Sequence, residues 1–280
     1  MARGCDWARA KKIVTLERLR WAINTFEPYK APGSDGIYPV LLQKGMRVLA
    51  LPLCKLLRAC LALGYVPNCW QEARVVFIPK AGRALLGTVK DFRPISLTSF
   101  ILKLLERLID RYLREVSFVE SPLRKEQHAY QEGKSAETAL AEVVTEVEKG
   151  MKSGYALTVL LDIEGAFNHT SVESICQGAR EHEVPDTVER WLRRLLKCRR
   201  VVAEWKLHRR QVWVGKGCPQ GGVISPTMWC LVVDKLLKVL SEAGFFNRAY
   251  ADDVIIVISA DNQGIAQDLM RSALSLGEKW

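Results

Sequence analysis

Two adjacent aspartates stand between two apolar runs in the last tenth of the chain. Asp252 and Asp253 follow a tyrosine and an alanine, and the β-branched run 254–258 comes directly after them. β-Branched residues are typical of strands, and Asp tolerates the conformations of tight turns. The pattern therefore predicts a hairpin over 246–259 that holds two carboxylates at its tip.

A third aspartate ends another apolar run. Residues 156–161 are strand-like, and Asp162 follows them directly. If both strands share a sheet, Asp162 lies close to Asp252 and Asp253. Neighbouring anions repel one another unless a cation lies beside them, and carboxylate oxygens are ligands that Mg²⁺ prefers. The set predicts a pair of Mg²⁺ ions and the chemistry of nucleotidyl transfer; for an Asp-Asp pair alone, a solvated turn is the alternative.

Composition indicates which kinds of partner the chain is suited to bind. Lys and Arg number 41 against 31 Asp and Glu, which gives a formal net charge of +10. Such an excess favours a polyanionic partner, with solubility as the alternative explanation. The 8 cysteines form no Cys-x-x-Cys pair, so we expect thiols in a reducing compartment, mostly in the core. No apolar run reaches the roughly 18 residues of a membrane span, so no membrane partner is expected.

Hydrophobic periodicity predicts a mixture of helices and strands, which is the α+β class. Thr15, Ser135 and Ser225 are placed to cap helices. The predicted helices are 15–26, 38–47, 49–63, 97–119, 135–151, 171–182, 186–197, 225–243 and one from 263. The predicted strands are 74–78, 155–162, 200–205 and 211–216, besides the hairpin, and 122–134 is predicted to be a loop.

Several short segments, taken in order, resemble the motifs of reverse transcriptases. They are Lys-Ala-Pro-Gly-Ser-Asp-Gly at 30–36, Phe-Ile-Pro-Lys at 77–80, Phe-Arg-Pro-Ile-Ser-Leu at 92–97, Leu-Asp-Ile-Glu-Gly-Ala-Phe at 161–167, the Pro-Gln-Gly to Ser-Pro segment at 219–226, and Tyr-Ala-Asp-Asp at 250–253. Over about residues 15–280 the chain resembles the polymerase of a non-LTR retrotransposon of the LINE type, jockey-like. The resemblance implies RNA-directed DNA synthesis with an RNA template, a DNA primer, dNTPs and two Mg²⁺ ions.

The resemblance also implies a fold. It is a right-hand polymerase with fingers and a palm, the palm being a ferredoxin-like sheet with helices, and with the thumb absent. The implied parts are fingers at 1–154, the first catalytic strand of the palm at 155–170, a fingers or palm insertion at 171–217, and the palm, truncated before the thumb, at 218–280. Target-primed integration implies a location in the nucleus and cytoplasm.

Site residues follow from the same resemblance. Asp162 and Asp252 would ligate both metal ions, with Asp253 as a more peripheral third carboxylate. Lys80 and Arg93 would hold the triphosphate, and Arg suits phosphate through its bidentate fork. Phe167 would exclude a ribose 2′-hydroxyl, with core packing as the alternative. Gln220 would contact the nucleotide or the template, and Tyr250 would pack beside the primer terminus.

A basic stretch at 190–210 is a candidate for nucleic-acid backbone contacts. The candidate side chains are Arg193, Arg194, Lys197, Arg209 and Arg210. A solvated helix face and hairpin loop is an equally weighted alternative.

The chain departs from the family pattern in places. Asn168 stands where Asp is common, and the loop 127–135 lacks the usual Arg, which affects a template contact. Two other functions stay open: an inactive nucleic-acid-binding remnant of such an element, and an RNA-dependent RNA polymerase. Phe167 argues against the second, because an RNA-making enzyme needs a small or polar residue there. Group II intron-type and telomerase reverse transcriptases resemble this sequence pattern more closely than an RNA-dependent RNA polymerase does.

Overall fold

The computed structural model describes residues 5–80, 88, 91–205 and 208–280. The chain divides into two compact units. The first comprises Met1–Glu120 and Phe167–Ser225, and the second comprises Ser121–Ala166 and Pro226–Trp280. Both units combine helices with antiparallel strand pairs, so the mixed helix and sheet composition expected from the sequence is confirmed.

Helices build most of the first unit. They are α1 (Trp7–Ile13), α2 (Leu16–Asn24), α3 (Pro39–Lys44), α4 (Met46–Leu63), α5 (Phe100–Tyr112), α6 (Phe118–Glu120), α8 (Ala166–His169, whose first residue belongs to the second unit), α9 (Val172–Glu181) and α10 (Asp186–Lys197). Helices α1, α2 and α10 pack on α4, and α2 also packs on α5. Their shared core contains Leu57, Leu61, Leu105 and Trp191, all of them without solvent exposure.

The sheet of the first unit has the strand order β2-β1-β4-β5. Its strands are β1 (Glu72–Pro79), β2 (Phe92–Leu97), β4 (Arg199–Trp205) and β5 (His208–Val214). The β1–β2 and β4–β5 pairs are antiparallel, whereas β1 and β4 run parallel.

Strand β2 corrects the sequence prediction, which began a helix at residue 97. Leu97 instead ends β2, and α5 begins at Phe100 behind Ser99, whose side chain accepts a hydrogen bond from the backbone N–H of Ile101 at 3.1 Å. Pro94 obscured this strand because proline lacks the N–H that a central strand needs. Strand β2 lies at the edge of the sheet, where a proline is tolerated.

The second unit has a three-stranded antiparallel sheet in the order β3-β7-β6. Its elements are α7 (Ala136–Ser153), β3 (Tyr155–Asp162), α11 (Ser225–Glu242, whose first residue belongs to the first unit), β6 (Phe246–Tyr250), β7 (Asp253–Ala260) and α12 (Gln263–Glu278). The predicted cap of α7 is confirmed, since Ser135 forms a capping box with Thr138. Helices α7 and α12 both pack on the sheet.

Gly150 lets α7 lie close to this sheet. A Cβ atom at this position would come within 3.1 Å of the Ala156 Cβ and still closer to the Ser259 side chain. The close approach fixes the helix over the end of the strands that lies away from the aspartates.

No helix in the described part of the chain is long and apolar enough to span a membrane. Among the described residues, none of the 8 cysteines forms a disulfide bond, and Cys54, Cys60, Cys176, Cys218 and Cys230 are buried, as expected for most of them.

Candidate active site

The predicted hairpin forms, and its tip is a two-residue turn. Tyr250 pairs with Asp253 across β6 and β7, which leaves Ala251 and Asp252 as the loop. Ala251 has φ of 58°, and it is the one loop residue with positive φ. This is the φ pattern of a type II′ turn, in which glycine usually occupies the first loop position. An alanine there carries strain of about 1 kcal/mol or more, so the surrounding contacts must hold the turn in place.

Three hydrogen bonds hold the tip. The Trp229 indole N–H donates to the carbonyl of Ala251 at 2.8 Å, and the Gln127 amide donates to the same carbonyl at 3.5 Å. The backbone N–H of Ile163 donates to the carbonyl of Asp252 at 3.2 Å, which ties the end of β3 to the turn. Trp229 and Gln127 are each only 1% exposed.

Neither Trp229 nor Gln127 is among the site residues predicted from the sequence. Trp229 lies within the apolar pattern of α11, where a core role accounts for it equally well. Gln127 lies in the predicted loop, and its two neighbours bond to β6. The backbone N–H of Ala249 donates to the carbonyl of Glu126 at 2.9 Å, and the Ala249 carbonyl accepts from the backbone N–H of His128 at 2.8 Å. The loop therefore supports the hairpin that carries Asp252 and Asp253, which no local pattern in the sequence indicates.

The three aspartates are neighbours in the second unit. Asp162 and Asp253 are direct partners across β3 and β7, so their side chains share one face with Cβ atoms about 5 Å apart. Burial raises the pKa of Asp253, and the charges of Asp252 and Asp162 raise it further. Among the described residues, none of the three forms an ion pair within 4 Å. This local excess of negative charge attracts a cation.

Lys80 and Arg93 lie on one face of the β1–β2 hairpin in the first unit. Arg93 is opposite Ile78, and the backbone N–H of Lys80 continues the ladder with a 2.8 Å bond to the carbonyl of Asp91. Because Ile78 and Lys80 are two residues apart, the alternation of the strand gives both cations the same side. Arg93 is exposed and Lys80 is half-buried, so both are open to an anionic ligand.

Gln220 lies in a glycine-containing loop that is fixed to β2. Its carbonyl accepts from the backbone N–H of Ser96 at 2.7 Å. Gly221 has φ of 110°, and a Cβ there would come within 2.8 Å of the Ser96 carbonyl oxygen, so this position requires glycine. The backbone N–H of Cys218 donates to the carbonyl of Phe167 at 2.7 Å, which brings half-buried Phe167 to the same loop.

Glu106 is a further buried residue that sequence analysis missed, because it lies within the amphipathic pattern of α5. One of its carboxyl oxygens accepts from the backbone N–H of Val223 at 2.7 Å, at the end of the Gln220 loop. Its other oxygen has no hydrogen-bond partner among the described residues. Burial raises the pKa of Glu106 to about 7, although its bonds to the loop and the charge of Lys103 oppose this.

The basic candidates differ in their surroundings. Arg193 bonds to Glu189 at 2.8 Å, and Lys197 bonds to Glu173 at 2.9 Å, so neighbouring carboxylates already compensate both charges. Arg194 is exposed on α10. On the exposed strand β5, Arg209 faces Glu204 at 3.5 Å, whereas Arg210 is open to solvent. Positions 206 and 207 of this stretch lie outside the described residues.

Comparison with known proteins decides the family. The family model described as reverse transcriptase (RNA-dependent DNA polymerase) matches residues 78–280. The chain belongs to the reverse transcriptase family. The resemblance drawn from the sequence motifs is thereby confirmed.

Relatives of this reverse transcriptase chain come from insect retrotransposable elements. It is 29% identical, over 90% of its length, to a retrovirus-related Pol polyprotein from the type-1 element R1 of Bradysia coprophila, and covers 25% of that protein. It is 26% identical over 95% of its length to the RNA-directed DNA polymerase from the mobile element jockey of Drosophila funebris, covering 30%. It is 24% identical over 91% to a Pol polyprotein from the element R2 of Popillia japonica, covering 35%. The chain thus spans about a quarter to a third of these relatives.

Reverse transcriptase domains are polymerases that in general use divalent metal ions, a nucleic-acid template and nucleotides. The aspartates fit such ions chemically, since they are oxygen donors with no described counter-ion. In the described part of the chain, however, no three His, Cys, Asp or Glu side chains are arranged to hold a metal ion.

Proposed function

We propose that this chain is the catalytic part of a retrotransposon RNA-directed DNA polymerase that extends a DNA primer on an RNA template. The observation that carries the proposal is the pairing of Asp162 with Asp253 beside Asp252, within a chain of the reverse transcriptase family. The names of the relatives, which include retrotransposon RNA-directed DNA polymerases, support the same reading.

The three aspartates would hold two Mg²⁺ ions, with Asp162 and Asp252 binding both and Asp253 lying at the periphery. When bound, the ions would activate the primer 3′-hydroxyl and neutralise charge on the transferred phosphoryl group. The hydrogen bonds from Trp229 and Ile163 to the turn would keep the carboxylates within reach of the reacting atoms. Tyr250, 42% exposed on the same hairpin, would pack beside the primer terminus.

In the first unit, Lys80 and Arg93 would bind the triphosphate from one face of the β1–β2 hairpin. Gln220, fixed to β2 through its carbonyl, would contact the nucleotide or the template. Phe167 would exclude a ribose 2′-hydroxyl and so select deoxynucleotides. Of the basic candidates, Arg194 and Arg210 are the better suited to a nucleic-acid backbone, because Arg193, Lys197 and Arg209 have carboxylate neighbours.

The parts of a right-hand polymerase belong to the same proposal. The first unit, which carries Lys80 and Arg93, suits the fingers, and the second, with the aspartate sheet, suits the palm. The proposed palm takes 155–170 and 218–280, so its bounds differ from those of the second unit, which comprises 121–166 and 226–280. We also propose an intracellular location in the nucleus and cytoplasm, which imaging of a tagged chain in insect cells would test.

Primer extension tests the function. The chain should extend a DNA primer on an RNA template with dNTPs, and discriminate strongly against ribonucleotides. Phe167→Val should relax that discrimination while leaving dNTP use largely intact. Salt-sensitive binding of primed RNA without any incorporation would instead indicate a binding remnant, and equal use of both sugars by the unmodified chain would contradict the role of Phe167.

A further inference from the structure

A pocket in the first unit contains cations that the proposed chemistry does not use. Its volume is about 360 Å³, and part of its lining comes from the segment after α2, from α5 and from the loop after Gln220. The side chains that matter here are Phe26, Phe100, Lys103 and Arg107, together with the backbone at Gly221. A pocket of this size accommodates a small polar group together with the atoms bonded to it.

Two aromatic rings orient the two cations. Phe26 and Phe100 meet edge to face with centroids 5.2 Å apart. The Lys103 ammonium lies 4.8 Å from the centroid of Phe100, and the Arg107 guanidinium lies 5.2 Å from that of Phe26. Cation–π contacts hold both heads in the pocket without neutralising their charge.

Neither cation has a counter-ion at bonding distance among the described residues. The Arg107 Nε is buried and has no hydrogen-bond partner there. Burial lowers the pKa of Lys103, although Glu106 and Asp35 oppose this. Lys30, also at the pocket, is already paired with Glu27 at 3.1 Å. The pocket therefore holds two charged donors that an anion would satisfy.

The position of the pocket favours a strand over a single nucleotide. Leu97 lines it at the end of β2, and Arg93 lies four residues earlier on the same face of that strand. At about 3.3 Å per residue, the two points are about 13 Å apart. Arg93 near one end of β2 and the pocket cations beside Leu97 at the other end suit an extended polyanion that contacts each of them with a different phosphate.

We propose that Lys103 and Arg107 bind a backbone phosphate of the template strand, in a subsite separate from Lys80 and Arg93. The assignment of the strand as template rests on the proposed function, whereas phosphate binding itself does not. Hydrogen bonds from an ammonium and a guanidinium would hold two oxygens of the same phosphate.

Equilibrium binding of a fluorescein-labelled RNA oligonucleotide, without dNTPs or Mg²⁺, tests the proposal. Arg107→Gln should raise the Kd about tenfold, which corresponds to about 1.4 kcal/mol. It should also make the slope of log K against log salt less steep by about 0.7, as expected for one lost contact to a single strand. Lys103→Gln should act in the same direction, and it provides a second variant if Arg107→Gln does not fold.

Arg47→Gln is the matched control, because Arg47 is an exposed cation on α4 of the same unit. It should leave the Kd and the salt slope unchanged. Losses in the pocket variants no larger than in this control would overturn the proposal. A tenfold loss of dNTP affinity with unchanged RNA binding would overturn the strand assignment, since the phosphate would then belong to the nucleotide. If the chain binds RNA through this pocket but incorporates no nucleotide, the phosphate subsite is supported and the proposed polymerase function is refuted.

Discussion

Glu106→Gln is expected to change how the stability of the protein depends on pH. The native pKa of Glu106 is about 7, above its ordinary value of 4.5, because burial penalises the charged carboxylate. The protonated form is therefore the one that the fold favours. The contribution of the protonated carboxyl to the free energy of unfolding is fully present below about pH 4.5 and is lost as the pH rises through 7. At 1.36 kcal/mol per pKa unit, the unmodified chain should lose about 3 kcal/mol across this window.

Glutamine removes this titration while keeping an oxygen that can accept from Val223. Urea unfolding of both proteins from pH 5 to pH 9 would measure the effect. The stability of Glu106→Gln relative to the unmodified chain should rise by about 2–3 kcal/mol from pH 5 to pH 8 and then level off. Parallel stability profiles would show that Glu106 is not the buried titrating group, and would refute the reasoning.

Three further changes probe the hairpin tip. Trp229→Phe removes the donor to the Ala251 carbonyl, so we expect a loss of about 1–2 kcal/mol in urea unfolding and a lower kcat with little change in the KM for dNTP; a raised KM alone would contradict a positioning role. Ala251→Gly should raise the Tm, because glycine adopts positive φ without strain, and an unchanged or lower Tm would show that the turn is unstrained. Asp253→Asn should be more stable than the unmodified chain at pH 7 and lose that advantage below its ordinary pKa of 3.8, since its native pKa is raised; a constant difference across pH would contradict the charge repulsion.

Much of the fold follows from local patterns. The stripe of α7, its capping serine and the β-branched run after Asp253 each specify an element through periodicity or capping chemistry. Strand β2 was missed because Pro94 is a signal against a central strand, whereas its edge position became visible only once the sheet was assembled.

The predicted site residues include charged side chains and the uncharged Phe167, Gln220 and Tyr250, but not the contacts that hold the site in place. Asp162 and Asp253 became direct partners as expected from two strands of one sheet. Trp229, Gln127 and Glu106 act through bonds to backbone groups more than 20 residues away, and no spacing in the sequence encodes such contacts. Arg193 differs in part: its i,i+4 ion pair with Glu189 can be read from the sequence, whereas its contact with Glu173 depends on how two helices pack.

The central claim is that the aspartates catalyse nucleotidyl transfer, and single-turnover addition of one deoxynucleotide at rising Mg²⁺ concentrations tests it most directly. The unmodified chain and Asp261→Asn, which removes an exposed carboxylate just beyond β7, should show the same saturating dependence on Mg²⁺. Asp252→Asn should lower the rate at least about 100-fold, as expected when a group that stabilises transition-state charge is lost. Equal rates for Asp252→Asn and Asp261→Asn, or incorporation that does not depend on a divalent metal ion, would contradict the account.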